Sequence, residues 1–165
     1  MLLSELGIDE TYLAHTPNET LIEHSNLTLE YLQKILKAKK LERLVDSLIQ
    51  KIEPENFELL KELFVSAVYL HDTGKKNPYF QAKIMNNKLF SEYAGKSDSS
   101  EHSFSSSTEF IKYYDNKINI LQNRALKEKF RFLLYAFSYH QAKHHGSLGA
   151  FEEYRKNEKA PKTYW

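Results

Sequence analysis

Residues 70–75 read Leu70-His71-Asp72-Thr73-Gly74-Lys75, an adjacent imidazole and carboxylate at the end of an apolar helical run, followed by a glycine and a lysine. That order suits a metal site that handles phosphate. Imidazole and carboxylate differ in softness and can serve one ion or two neighbouring ions. The glycine is expected at φ > 0, ending the helix and turning the chain away, and the lysine offers a point charge to a phosphate. An isolated His-Asp pair is common, so its weight depends on what else the chain brings to it.

The run before the pair is helical. Phe57, Leu60, Phe64, Ala67 (or Val68) and His71 share one stripe after the break at Pro54, and Asp72 lies about 100° round from His71. An earlier helix from Asn18 carries Leu21, His24, Thr28, Tyr31 and Ile35 on one stripe, with Leu32 beside it, directing His24 inward near the helix start. Leu41, Leu44, Val45 and Leu48 continue that helix or form a second one to about Ile52. Pro78 suits the first turn of a short helix through about Met85. Residues 86–100 read as a loop. Glu101 and His102 open a helix to about Lys117, whose early face is small (Ser103, Ser105, Ser106, Ser107) and can approach a neighbour closely. A long helix after Asn119 places Phe130, Leu133, Phe137, His140 and His144 on one stripe to about Lys143. Gly146 is expected to end it, and residues 147–156 read as a last short helix. No internal repeat and no strand of strict alternation is found. The chain is expected to be all-α, a helical bundle with a metal site in its core.

Composition narrows the chemistry. The 165 residues are 41% hydrophobic and 27% charged, which fits one soluble globular domain over residues 1–165 with a real core. There is no cysteine, so disulfides, Cys-ligated zinc and thiol catalysis are excluded, and a cytoplasmic location is expected. No signal peptide or membrane-length apolar segment is present. With 23 basic and 22 acidic residues, the net charge of +1 is no footprint for tight duplex binding. Weak contact with a single strand, or delivery by a partner, stays open.

His24, His71, Asp72, His102, His144 and His145 come from different helices or helix ends. Each imidazole alone is more often a hydrogen-bonded core or surface residue than a ligand; jointly they point to a metal site. Asp72 is placed to bridge two ions about 3.5–4 Å apart, which would clamp an in-line phosphoryl displacement and supply a hydroxide nucleophile at neutral pH. Lys75 is assigned to phosphate contact. His140, four residues before His144, sits at a helical ligand spacing but is read as an outer hydrogen-bonding residue. His15 is read as structural, and Phe80 and Gln81 as packing and capping residues.

These residues resemble the HD phosphohydrolase superfamily, and more specifically the HD nuclease domain of the signature helicase–nuclease of type I CRISPR systems. The resemblance lies in Ala14-His15, Glu23-His24, His71-Asp72-Thr73-Gly74-Lys75 with Phe80-Gln81, His102-Ser103 and His144-His145-Gly146, and covers about residues 12–150. It implies a metal-dependent DNA phosphodiesterase, endonuclease or exonuclease, that degrades single-stranded DNA in antiviral interference. It implies one ion on His24, His71 and Asp72 with a later Asp, a second on Asp72, His102, His144 and His145, and Lys75 on the scissile phosphate. It also implies a superfamily 2 helicase, fused or separate, and a crRNA-guided surveillance complex as partners. Mn, Fe, Co or Ni suits the donor set better than Mg, which prefers oxygen ligands. Low pH is expected to abolish metal binding by protonating imidazoles of reference pKa about 6.5.

The sequence departs from the pattern. No Asp follows Asp115, so the chain is expected either to be cut before the late Asp motif or to fill that position with water or substrate. There is no phosphate-binding Gly-Lys-Ser/Thr loop, so helicase domains are absent. Two other functions compete: an HD phosphohydrolase acting on nucleotides or cyclic nucleotides, and a catalytically degenerate HD adaptor module.

Overall fold

The computed structural model describes residues 2–95 and 102–145, so Gly146 and the helix expected over 147–156 lie outside the described residues. The described residues are mostly helical: α1 (Leu2–Glu5), α2 (Leu21–Ala38), α3 (Glu42–Ile52), α4 (Phe57–Tyr69), α5 (Pro78–Lys83), α6 (Ser103–Asn119) and α7 (Arg124–Lys143), with 3₁₀ turns at Thr73–Lys76 and Lys88–Tyr93. The all-α expectation holds with one addition, a two-stranded antiparallel hairpin of β1 (Leu13–His15) and β2 (Glu19–Thr20), in which His15 pairs with Glu19. Strands this short leave no alternation to detect, and the Thr16–Pro17 bond in their turn is cis.

Local chemistry sets the helix ends. Thr20 caps α2 through a capping box: its Oγ1 accepts the Glu23 N–H at 3.1 Å, and Glu23 Oε2 accepts the Thr20 N–H at 2.8 Å. Lys40 at φ 55° separates α2 from α3, which makes them two helices. Asn77 and Asn123 cap α5 and α7 by accepting the N–H of Tyr79 and of Leu126, and Pro78 occupies the first turn of α5. The second 3₁₀ turn lies in the segment expected to be a loop.

The core is built where α4, α6 and α7 meet, around Leu60, Leu63, Phe110, Tyr114, Ile118, Phe130 and Leu134, all essentially inaccessible. α6 and α7 pack against each other through a short connection, and α4 rests on α2, α3 and α7. Three stripes lie a step round from the expected faces. On α2, Tyr31 and Ile35 are exposed, and the inward face runs through Leu21 and Ser25. On α3, Leu44 and Leu48 are exposed while Ile49 is buried. On α7 the buried positions are Phe130, Leu134, Tyr135, Ser138, Tyr139 and Gln141, so His140 turns outward and is exposed.

Gly74 is required for a different reason from the one its position suggested. It is not among the positive-φ residues. A Cβ there would lie 2.1 Å from the His102 carbonyl oxygen and 2.7 Å from the Ser106 nitrogen. The start of α6 therefore sits directly on the 3₁₀ turn, and Gly74 N–H donates to Ser106 Oγ at 2.8 Å. Ser103, Ser106 and Ser107 are buried, so the small face of α6 serves close approach to the chain that carries Asp72.

Candidate metal centre

Asp72 lies just past α4, after Leu70 and His71, and is 3% exposed. Its two oxygens face different partners. Oδ2 lies 3.1 Å from His24 Nε2 and 3.4 Å from His71 Nε2; Oδ1 lies 3.0 Å from His144 Nε2 and 3.4 Å from His102 Nε2. The donor atoms form two groups sharing one carboxylate: His24, His71 and Asp72, and Asp72, His102, His144 and His145. The structure thus brings together every imidazole expected at the site. His145 is the outermost, its ring 4.0 Å from His144 and 4.8 Å from His102. His140 lies outside both groups, its ring 5.8 Å from Tyr139.

The far side of each ring decides what the near side can do. His71 Nδ1 lies 2.9 Å from the Val68 carbonyl oxygen and His144 Nδ1 2.6 Å from that of Gln141. A carbonyl only accepts, so each Nδ1 carries the proton and donates. A neutral ring held this way turns a bare Nε2 lone pair toward Asp72. His24 follows the same rule through Glu19 Oε1 at 3.3 Å. Acceptors thus confront a carboxylate, an arrangement that is repulsive unless a cation lies between or the rings protonate. Among the described residues His24 Nε2 and His102 Nε2 are moreover buried without a hydrogen-bond partner, which buried polar atoms seldom are. Orphaned nitrogens round a shared carboxylate fit a divalent ion of the borderline transition series.

Protonation of the rings is the ion-free way out of that repulsion. Burial alone would push Asp72 up, but hydrogen bonds donated by His102, His144 and His24 once protonated, and the nearby His71, outweigh it and hold the carboxyl far below its usual range. Burial lowers His71, more than offsetting Asp72. His144 is likewise opposed by burial, yet Asp72 and the Gln141 carbonyl raise it. Burial, with His144 and His102 beside it, lowers His145.

Lys75 is buried. Its Nζ donates to Asp72 Oδ2 at 2.7 Å and to the Ala14 carbonyl at 3.1 Å. It also lines an open cleft of about 590 Å³ together with His15, Phe80, His102, Lys143 and His145. Phe80 packs its ring against His102 at 4.7 Å. Gln81, fully buried, does cap: its amide accepts the Leu13 N–H and donates to the carbonyls of Leu13 and Lys75. It thereby ties β1 to the turn carrying Lys75. The reading of His15 as merely structural changes: with Glu19 and His24 it forms a third group of metal-capable side chains, its ring 4.8 Å from that of His24. Glu19 was missed altogether. The sequence signal for it was Thr20-Leu21-Ile22-Glu23, a capping-box pattern that places Glu19 just ahead of the helix.

The family model described as Cas3, HD domain, matches residues 13–164. Searches of curated proteins and of solved structures give no significant match. No helix of the described residues is long and apolar enough to cross a membrane. The match spans β1, every imidazole round Asp72 and the bundle that holds them, and so the chain belongs to the Cas3 HD-domain family, the HD nucleases of type I CRISPR systems.

Proposed function

We propose that this chain, folded as a single HD domain, is a divalent-metal-dependent nuclease that cleaves single-stranded DNA during antiviral interference in the cytoplasm. The observation that carries the reading is the Asp72 carboxylate, each oxygen facing its own pair of imidazole Nε2 atoms at 3.0 to 3.4 Å, at the edge of a cleft. His24, His71 and Asp72 would hold one ion; Asp72, His102, His144 and His145 would hold a second. Bound there, divalent ions supply Lewis acidity and an activated water for in-line attack on phosphorus.

The chain's own residues do the rest. Asp72 fixes the spacing of the two groups, and the carbonyls of Val68 and Gln141 hold His71 and His144 in the ligating tautomer. Lys75, at the cleft wall, orients a phosphate by its charge. Lys143 adds a second cation, while Phe80, Ile84 and Met85 give the cleft an apolar side against which bases can lie. With a net charge of +1, the domain depends on partners for its strand: a superfamily 2 helicase, fused or separate, and a crRNA-guided surveillance complex. Mn, Fe, Co or Ni suits the imidazole-rich set better than Mg.

The test is incubation with labelled single-stranded and duplex DNA under EDTA, Mg, Mn, Co or Ni, beside Asp72→Ala. Cleavage of the single strand with a transition metal, lost on chelation and in the variant, is the expected result. Hydrolysis of nucleotides or cyclic nucleotides without action on polymer would replace it with a phosphohydrolase. A folded protein inert in every metal would make it an adaptor.

A further inference from the structure

We propose that Glu19 is a positioning residue for His24: its carboxylate fixes the ring that completes the first group on Asp72. The inference rests on the reading of that group as a metal site. His71 and His144 are held by backbone carbonyls, an anchoring no substitution can remove. His24 is held by a side chain, Glu19 Oε1 at 3.3 Å from Nδ1.

Three independent features deliver Glu19 to this place. The hairpin pairs His15 with Glu19 across the two strands. The capping box fixes where α2 begins, so His24 comes a set distance after Glu19. Gln81 then bonds both backbone groups of Leu13, which docks the hairpin against the turn that carries Asp72. The His15 ring closes the other side of His24, edge to face at 4.8 Å and 65°.

The consequence is chemical. A carboxylate accepting the Nδ1 proton makes imidazole a better donor than a carbonyl does, and it selects the tautomer with Nε2 free. That Nε2 is the buried atom left without a partner, 3.1 Å from Asp72 Oδ2. Of the two groups the first has fewer donors, two imidazoles and the shared carboxylate, against three imidazoles and the carboxylate in the second. The first group therefore depends more on the strength of each donor.

The experiment titrates Co(II) into wild type, Glu19→Ala, Glu19→Gln and His24→Ala, with calorimetry for affinity and long-range ¹H–¹⁵N correlation of the rings for tautomer. His24→Ala identifies the binding step that belongs to the first group. Glu19→Ala is expected to weaken that step about 10- to 100-fold, to leave the other step within about twofold, and to release His24 from its Nδ1–H tautomer. Glu19→Gln, whose amide oxygen still accepts the proton without charge, should fall between. Glu19 is about one-third exposed, so folding should survive, as circular dichroism would verify. Unchanged affinity together with an unchanged His24 tautomer in Glu19→Ala would overturn the assignment while leaving the metal site standing. Wild type taking up no ion would overturn the metal reading itself, and the role given to Glu19 with it.

Discussion

Two buried carboxylates lie in different parts of the bundle, and their surroundings are opposites. Glu53, 5% exposed at the end of α3, receives Lys129 Nζ at 2.7 Å and Asn56 Nδ2 at 3.1 Å. Lys129 also donates to the Ile52 carbonyl. Acceptors there meet donors, and the hydrogen bond from Lys129, against a smaller opposing effect of burial, holds Glu53 below its usual range. Asp72, 3% exposed, has Lys75 as its one ammonium partner among the described residues and otherwise faces imidazoles, of which His24, His71 and His144 spend a proton on the far side. Glu53 closes a junction between α3 and α7. Asp72 keeps the Lys75 ammonium on Oδ2 and turns both oxygens toward imidazole nitrogens. Burial and low pKa are common to both; what separates a structural acid from a ligating one is which atom its neighbours turn toward it.

The largest effect that distinguishes them is on metal. Asp72→Asn should weaken both binding steps by more than about 100-fold, beyond the 10–100-fold typical of outer partners, whereas Glu53→Gln should leave both unchanged; calorimetry with Co(II) or Mn(II) reads the contrast. Next comes Gly74→Ala. A Cβ directed at the His102 backbone forces α6 off the turn, so about 1–3 kcal/mol of stability should go, together with weaker binding at the His102 group. A melt and a titration on the same sample measure both.

Acid should separate the regions by pH. Protons compete with metal for imidazole. Because His144 is raised and His71 lowered, protons should compete with metal first at His144 as pH falls toward and below about 6.5, and at His71 later. In the metal-free protein the signs differ. Protonated His144 contributes stability that is complete below about 6.5 and lost as pH rises through its raised value. Glu53, being lowered, contributes stability present above the ordinary carboxylate range and lost only as pH falls through its folded value. Titrations at pH 8, 7 and 6, with melts extended to pH 3, test this order. Glu53→Gln itself should cost about 1 kcal/mol, since Lys129 is 41% exposed and screened. His140→Ala, at an exposed position outside both groups, should change neither metal affinity nor melting temperature.

Residue chemistry made the candidate ligands legible before any geometry. Imidazoles at helix ends, a His-Asp pair and a paired His before Gly are costly unless used, and the structure gathers them round Asp72. Orientation was less legible. Tyr31 and Ile35 have the right spacing for a buried face, but periodicity gives the angle between residues and not which side meets the core; α2 packs mainly on α4, and both residues face outward. Gly74 was recognised for the wrong reason, because close approach of α6 depends on a contact 32 residues away and leaves no local mark. Glu19 is not singled out by the sequence and His15 reads there as structural, because a hairpin of three and two residues carries no period, although the capping box beside it fixes the register.

This chain has no cysteine, yet the Asp72 cluster gives it the means of a cross-link. His144 and Asp72 are 72 residues apart, and both would share an ion. Tying such a loop by a covalent bridge removes about 4 kcal/mol of chain entropy from the unfolded state on the usual polymer argument. A shared ion imposes the same constraint for as long as it is held. Loaded with an ion, the centre would thereby also be a reversible fastening, closed only when segments from both halves of the sequence have arrived, so that any chemistry it supports would begin only as folding is completed.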